Sequence, residues 1–579
     1  MKRLSLPVLA AGTAGVVALG VAAATAVPMG FSQDRSAELA QQINPAKPKS
    51  VILLIGDGMD DSMITAARNY SVGASGRLAL DELPFSGAMT TYGLKVGAGP
   101  DYPIAYVSDS APTASGWSTG KKTVDGRISQ GPSSADTVPG VDYETVLERF
   151  QAAGKKVGDV STAEITDATP AAAASHINAR ACQDPTAMTA CPSAKKSAGG
   201  LGSIAEQLVD HKVDVLLGGG QNRYAKMLED GSESVLSYAQ TKKGYRSVTT
   251  ASELAGISSL SGGPVLGLFS PSHMTRKYAP RVAVNGGTAE TGPCVEQSRG
   301  TQPTLAAMTD KAITLLDNPN GFFLQVEGAS VDKAEHERDI CGAIGELEEL
   351  DQAVKTALAY QRTHPDTLVI VTGDHAHSTQ IVMDNYGGSA TATVTTVDGD
   401  PMTVAYSSSY AGTPPQQATH TGAQIRVAAI GPQAANVTGV IDQTDLFGTM
   451  LGRTPSTLPT APTATATATA TVTVTASPTA SPTTSPTPPA TPAARPSIWL
   501  ASPKKVARGA ETWISVTVQD ATEVTVRLKQ GKDSTVKRLD ADGGAIRLPG
   551  SLRKGALQLK VVATGDGGRR TLTRTIVVR

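Results

Sequence analysis

Four side chains able to bind metals stand at the ends of apolar runs in this chain. Asp57 follows Ser50 to Ile55, Glu327 follows Phe322 to Val326, and Asp374 and His375 follow Leu368 to Val371. Short apolar runs of this kind read as strands covered on both faces, and open α/β sheets bind their ligands just beyond strand ends. Taken singly, each residue is an ordinary loop residue or helix cap. Their joint occurrence describes a ligand set. Asp332 and His336 lie four apart, so on a helix both project from one face, as paired metal ligands do.

The chain has eight histidines. His336, His375, His377 and His420 fall within or close to the acid-bearing segments or in a Thr- and Gly-rich turn. His176, His211, His273 and His364 lack such surroundings and are read as ordinary. Mixed imidazole and carboxylate ligands suit zinc, whereas an all-oxygen set with a threonine hydroxyl suits magnesium. The segment Val107-Ser108-Asp109-Ser110-Ala111-Pro112-Thr113-Ala114-Ser115-Gly116-Trp117 sets a serine among small residues at an expected helix start, where backbone N–H groups converge on an anion.

The elements that must position these groups alternate between strand and helix. Strands are expected at 50–55, 213–217, 322–326, 368–371 and 425–430, and helices at 141–150 and 347–360. That pattern predicts an α/β fold with a central, largely parallel sheet flanked by helices. Residues 459–495 are almost entirely Thr, Ala, Pro and Ser, a composition that buries no core and reads as an extended, O-glycosylated linker. Beyond it, 512–518, 523–528, 557–562 and 571–578 are short and β-branched with Gly or Asp turns, predicting a small all-β sandwich. The expected division is a signal peptide at 1–26, an N-terminal arm at 27–48, a catalytic domain at 49–456, a linker at 457–496 and a basic β-sandwich at 497–579.

The start of the chain, Met1-Lys2-Arg3 followed by an apolar run and Ala24-Thr25-Ala26, has the form of an export signal with a small-residue cleavage site. In an exported protein the four cysteines favour two disulfides. Cys182 and Cys191 are close neighbours, which leaves Cys294 and Cys341, one of the three pairings that four cysteines allow. Charge divides unevenly: residues 496–579 carry 16 Lys+Arg against 7 Asp+Glu, so a tail at +9 follows an acidic body. A tail of that charge is expected to dock on an anionic cell-wall polymer or extracellular nucleic acid, or to serve as a solvated spacer.

Seven segments in order, Ile52-Leu53-Leu54-Ile55-Gly56-Asp57-Gly58-Met59, Asp109-Ser110-Ala111, Ser161-Thr162-Ala163-Glu164, Asp167-Ala168-Thr169-Pro170, Phe323-Leu324-Gln325-Val326-Glu327-Gly328-Ala329-Ser330, Asp374-His375-Ala376-His377 and His420-Thr421-Gly422, resemble the bacterial alkaline phosphatases of the Escherichia coli type. The resemblance spans roughly residues 47–452 and leaves out the linker and tail. It implies a secreted homodimer that hydrolyses phosphate monoesters with two zinc ions and one magnesium ion. By that resemblance Asp332, His336 and His420 hold one zinc, and Asp57, Asp374 and His375 the other. Asp57 also reaches magnesium with Thr169 and Glu327.

The same resemblance makes Ser110 a transiently phosphorylated nucleophile and Arg180 a two-pronged clamp on phosphate oxygens, a task suited to a planar guanidinium. Asp109 and a Cys182–Cys191 bridge help to position Arg180. Asp167 acts on magnesium and Lys333 on phosphate, each through water, and His377 stands outside the ligand set. Pro112 and Ser115 depart from the family's serine motif, but proline in a first helical turn lacks only an unneeded N–H. A phosphodiesterase, sulfatase or phosphate mutase of the same superfamily is disfavoured by Ser110, Arg180 and the third-metal acids. A catalytically idle binding protein would bind without turnover.

Overall fold

The computed structural model describes residues 34–384, 386, 390–408, 417–454, 496–501, 505–506, 513–519, 521–540, 543–549, 551–566 and 568–579. The expected signal peptide, the first part of the arm and the expected linker up to residue 495 lie outside the described residues. The chain forms two compact units, Met1–Ala461 and Pro462–Arg579. Among the described residues no helix is long and apolar enough to cross a membrane.

The first unit is organised on a ten-stranded sheet. In chain order its strands are β1 (Ser50–Gly56), β2 (Phe85–Thr90), β3 (Lys156–Glu164), β4 (Val215–Gly219), β5 (Arg246–Val248), β6 (Val265–Leu268), β7 (Phe322–Gly328), β8 (Thr367–Gly373), β9 (Ile425–Ile430) and β10 (Gly439–Asp442). They lie in the order β10-β2-β9-β8-β1-β7-β3-β4-β6-β5. Only β9 runs against the others, pairing antiparallel with β8 and β2. The sheet is therefore largely parallel.

The central strands β1, β7 and β8 are fully buried and mostly apolar because helices cover both faces. In β1, Ile52 and Leu54 point into one core with helices α1 (Asp61–Val72), α4 (Leu305–Leu316) and α6 (Ile340–Thr363). Val51, Leu53 and Ile55 point into the other, with α2 (Ser110–Thr119) and α3 (Ala168–Ala174). Helix α6 starts where the Asp339 carboxylate accepts from Gly342 N, and Ile344, Leu347, Leu350, Val354 and Leu358 keep one face buried. A short helix, α5 (Ser330–His336), connects β7 to α6.

Several elements were not foreseen from sequence. They include β2, β5, β6, β10 and a separate antiparallel sheet of Thr379–Val382, Pro401–Tyr406 and Ala390–Thr395. Two disulfides form, Cys182–Cys191 and Cys294–Cys341. The second unit packs a three-stranded and a five-stranded sheet around one core. Ile514, Val516 and Val518 come from the first, and Val524, Val526, Leu559 and Val561 from the second.

Candidate metal centre and catalytic pocket

Parallel register aligns the acids seen in the sequence. Gly56 of β1 pairs with Gly373 of β8 and with Gly328 of β7, so Asp57 and Asp374 leave adjacent strands at the same level, with Glu327 two residues below. Asp374 Oδ1 accepts from the N–H groups of Gly58 and His375, both at 2.8 Å. Gly58 has φ +73°, and a Cβ there would crowd the Asp332 Cα. The backbone N–H of Asp332 in turn donates to Asp57 O at 2.8 Å. Helix α5 is thereby fixed against the turn after β1.

Two ligand groups result. Asp57, Asp374 and His375 converge in one, with His375 Nε2 3.5 Å from Asp57 Oδ1 and 3.3 Å from Asp374 Oδ2. Asp332, His336, His377 and His420 converge in the other. Its His420 Nε2 lies 3.1 Å from Asp332 Oδ1 and 3.0 Å from His336 Nε2. The Nδ1 atoms of His336 and His420 lie 2.7 Å and 3.0 Å from the carbonyls of Ala418 and Ser108, so they carry the protons and turn both Nε2 lone pairs inward. Ring nitrogens this close to each other and to Asp332 fit a positive charge shared between them, a proton or a metal ion.

The electrostatics agree. Burial, then Asp374 and Asp332, push Asp57 well above the usual carboxylate range. Burial also lifts Asp374 to about 6 and Glu327 to about 7, and lowers His377 to about 3. Asp332 goes the other way, because the hydrogen bond and charge of His420 outweigh its burial. Asp374 Oδ2, both ring nitrogens of His375 and His377 Nε2 are buried without a hydrogen-bond partner. Crowded carboxylates and orphaned imidazole nitrogens fit bound divalent cations.

A third group of oxygens lies beside these. Glu327 accepts a short hydrogen bond from the Ser161 hydroxyl. The Thr169 hydroxyl stands next to Glu327, and its oxygen is buried without a well-formed hydrogen bond. An orphaned hydroxyl beside a carboxylate fits a hard, oxygen-seeking ion such as magnesium.

Ser110 is the first residue of α2, buried, with Oγ 3.4 Å from Asp57 Oδ1. Asp109 stands against Arg180, as the resemblance implied. Its carboxylate makes no capping bond and instead accepts from Arg180 Nη1 at 2.6 Å. Arg180 Nη2 donates to Asp167 Oδ1 at 2.7 Å, and Lys333 Nζ to Asp167 Oδ2 at 2.8 Å. Burial would raise Asp167, but Lys333 and Arg180 hold it far below the carboxylate range. Pro112 occupies the third position of α2 and leaves the helix unbroken.

Asp109, Arg180, Asp332, Lys333 and His336 line an open cleft of about 630 Å³. His273 lines it too, although the sequence reading set that residue aside as ordinary. It follows β6, a strand that reading omitted, and so obeys the same strand-end rule as Asp57 and Asp374. Arg276, equally unforeseen, lines the cleft while bonded to Glu337 at 2.7 Å.

Fold and site together define a class: an α/β protein with buried clusters of metal-ligating side chains, a serine at a helix N-terminus and an arginine fork. The chain belongs to the alkaline phosphatase family, whose model matches residues 48–412 and 385–453, and it is a phosphate monoester hydrolase. It is 45% identical to alkaline phosphatase H of Pseudomonas aeruginosa over 435 residues, covering 72% of this chain and 87% of the relative. It is 44% identical to Escherichia coli alkaline phosphatase (72% and 88%) and 43% identical to streptomycin-6-phosphate phosphatase of Streptomyces griseus (71% and 91%). Among solved structures, the Thermus thermophilus alkaline phosphatase shares the fold with a TM-score of 0.53 at 22% identity, covering 74% of this chain and 95% of that one. The enzyme of the Antarctic bacterium TAB5 gives 0.52 at 23% identity (70% and 98%), and a variant of it carries Mg in its M3 site.

Proposed function

We propose that the chain hydrolyses phosphate monoesters through a phosphorylated Ser110, at a centre loaded with two zinc ions and one magnesium ion. The observation that carries this reading is the Ser110 hydroxyl at the head of α2, 3.4 Å from Asp57 of one ligand group and next in the chain to Asp109, which holds Arg180. Asp332, His336 and His420 would hold one zinc, and Asp57, Asp374 and His375 the other. Thr169, Glu327 and Asp57 would hold magnesium. When bound, such ions supply Lewis acidity that lowers the pKa of an oxygen nucleophile and offsets charge on a leaving oxygen.

Arg180 binds the phosphoryl group with the N–H groups that Asp109 and Asp167 leave free. Lys333 adds positive charge from the same wall. Ser110 Oγ attacks phosphorus in line, the ester P–O bond breaks and the alcohol leaves. Water then attacks the phosphoserine in line, releasing inorganic phosphate and restoring the hydroxyl, so configuration at phosphorus is retained. In Ser110→Ala, zinc content should match wild type while hydrolysis of 4-nitrophenyl phosphate at alkaline pH falls to a trace. Equal rates in the two proteins would remove Ser110 from the mechanism.

The export-type N-terminus and the two disulfides support a secreted enzyme that scavenges phosphate outside the cell, and the family resemblance implies a homodimer. The tail sheet presents Arg527, Lys529, Arg538, Lys560 and Arg569 on one exposed face, with Arg527 directly opposite Lys560. Like charges paired across strands repel unless an anion lies over them, which supports docking on an anionic cell-wall polymer or extracellular nucleic acid. Retention on such a polymer should weaken as salt shortens the Debye length; salt-insensitive retention, or none, would remove the idea.

A further inference from the structure

Two histidines that the sequence marks as ordinary meet outside the catalytic cleft. His176 Nε2 lies 3.0 Å from Glu148 Oε1, and His211 Nδ1 lies 3.7 Å from the same oxygen. The three ligand atoms fall within 4.8 Å of one another. Ligand atoms around one tetrahedral zinc stand about 3.4 Å apart, so the two contacts bracket the spacing a shared ion requires.

Each group is held from behind. The other Glu148 oxygen accepts from Thr145 N at 2.7 Å in a capping box at the start of the helix Val146–Ala152. His176 Nδ1 lies 3.0 Å from Ser129 O, which places a proton on Nδ1 and turns Nε2 toward Glu148. Gln207 bonds both the N–H and the carbonyl of His176, and its own carbonyl accepts from His211 N. Gln151 donates to His211 O at 2.9 Å. Three segments far apart in sequence are thus fixed around one point before any ligand arrives.

A proton alone does not satisfy this group. Placed on His176 Nε2, it would join His176 to Glu148 and leave the buried His211 Nδ1 atom without a hydrogen-bond partner. One divalent cation would satisfy all three atoms. Glu148 and His211 keep about a quarter of their side chains exposed (23% and 24%), which leaves an entry path and room for water as a further ligand. Two imidazoles and one carboxylate are a donor set for zinc or a neighbouring first-row ion, not for magnesium or calcium.

We propose that Glu148, His176 and His211 form a structural zinc-class site, separate from the catalytic cleft. It ties the helix Val146–Ala152 and the end of the helix Ile204–Asp210 to the segment that carries Arg180 four residues beyond His176.

The test uses the full chain, stripped by chelator, reloaded with zinc, dialysed and assayed for zinc by elemental analysis. His211→Asn should lower the zinc content by about one ion per chain while 4-nitrophenyl phosphate hydrolysis persists. His211→Cys, which restores a ligand at the same place, should bring the lost ion back. Equal zinc in wild type and His211→Asn overturns the proposal. So does a loss that His211→Cys fails to restore, because the substitution would then be acting on the fold or the catalytic metals.

Discussion

Replacing Arg180 by lysine tests the phosphate clamp quantitatively. The guanidinium spends one N–H of Nη1 on Asp109 and one of Nη2 on Asp167, at 2.6 and 2.7 Å. Of its five N–H groups three stay free, with those on the two terminal nitrogens forming a planar pair for two phosphate oxygens. A lysine ammonium keeps the charge but cannot hold both carboxylates and still offer two parallel bonds. Losing one charge-assisted hydrogen bond costs about 1.5–3 kcal/mol. Expressed only in the transition state, that is about a 10- to 150-fold loss in kcat/KM. Folding should change little, since Asp167 retains Lys333 and Asp109 is partly exposed to water. The assay is steady-state hydrolysis of 4-nitrophenyl phosphate beside inhibition by inorganic phosphate, with a weaker inhibition constant expected. A loss under about threefold in kcat/KM, with phosphate inhibition unchanged, would refute the argument that the fork binds the phosphoryl group.

Gly373→Ala should disable the metal centre from a residue that touches no ligand, because a Cβ there would collide with the Met59 carbonyl and displace Asp374 and His375; hydrolysis and zinc content should fall together. The loop-closure relation gives about 4 kcal/mol for the Cys294–Cys341 bridge and about 2.6 kcal/mol for Cys182–Cys191, from separations of 47 and 9 residues. Denaturant titration of the two paired Cys→Ser variants should show that order, while the Cys182–Cys191 variant, next to Arg180, should show the larger rise in KM. Asp81 receives Arg68 at 2.7 Å and Arg426 at 2.9 Å, and these arginines outweigh its burial to hold it below the usual carboxylate pKa. A depressed pKa stabilises above the unfolded value near 4 and loses that stabilisation as pH falls below it. Asp81→Asn should therefore lower thermal stability at pH 7, by about 1–3 kcal/mol, and the gap should close in acid.

The comparison of expectation with structure follows a physical line. Strands with both faces covered, such as β1, β7 and β8, are buried at every position and mostly apolar, and stood out in the sequence. So did the acids at their ends, and the four-residue spacing of Asp332 and His336 on α5. Strand β6 has only four residues and β5 three, too short for pattern to separate from loop, and His273 was lost with them. The histidines at 176 and 211 were passed over for a related reason, since nothing local announces that Glu148 will join them.

Residue types and their order along the chain were enough to name the family and to propose a ligand set and a nucleophile, because those depend on chemistry carried by single side chains at strand ends. The grouping of ligands was implied by the resemblance, but its physical cause lies in register: Gly56 level with Gly373 and Gly328 puts Asp57 and Asp374 at one level and Glu327 two residues below them. For Asp109 the structure supplies the reason rather than the role: it stands at the N-cap position of α2 but makes no capping bond, and across 71 residues its carboxylate grips Arg180, as the resemblance implied, because the guanidinium carries a full charge.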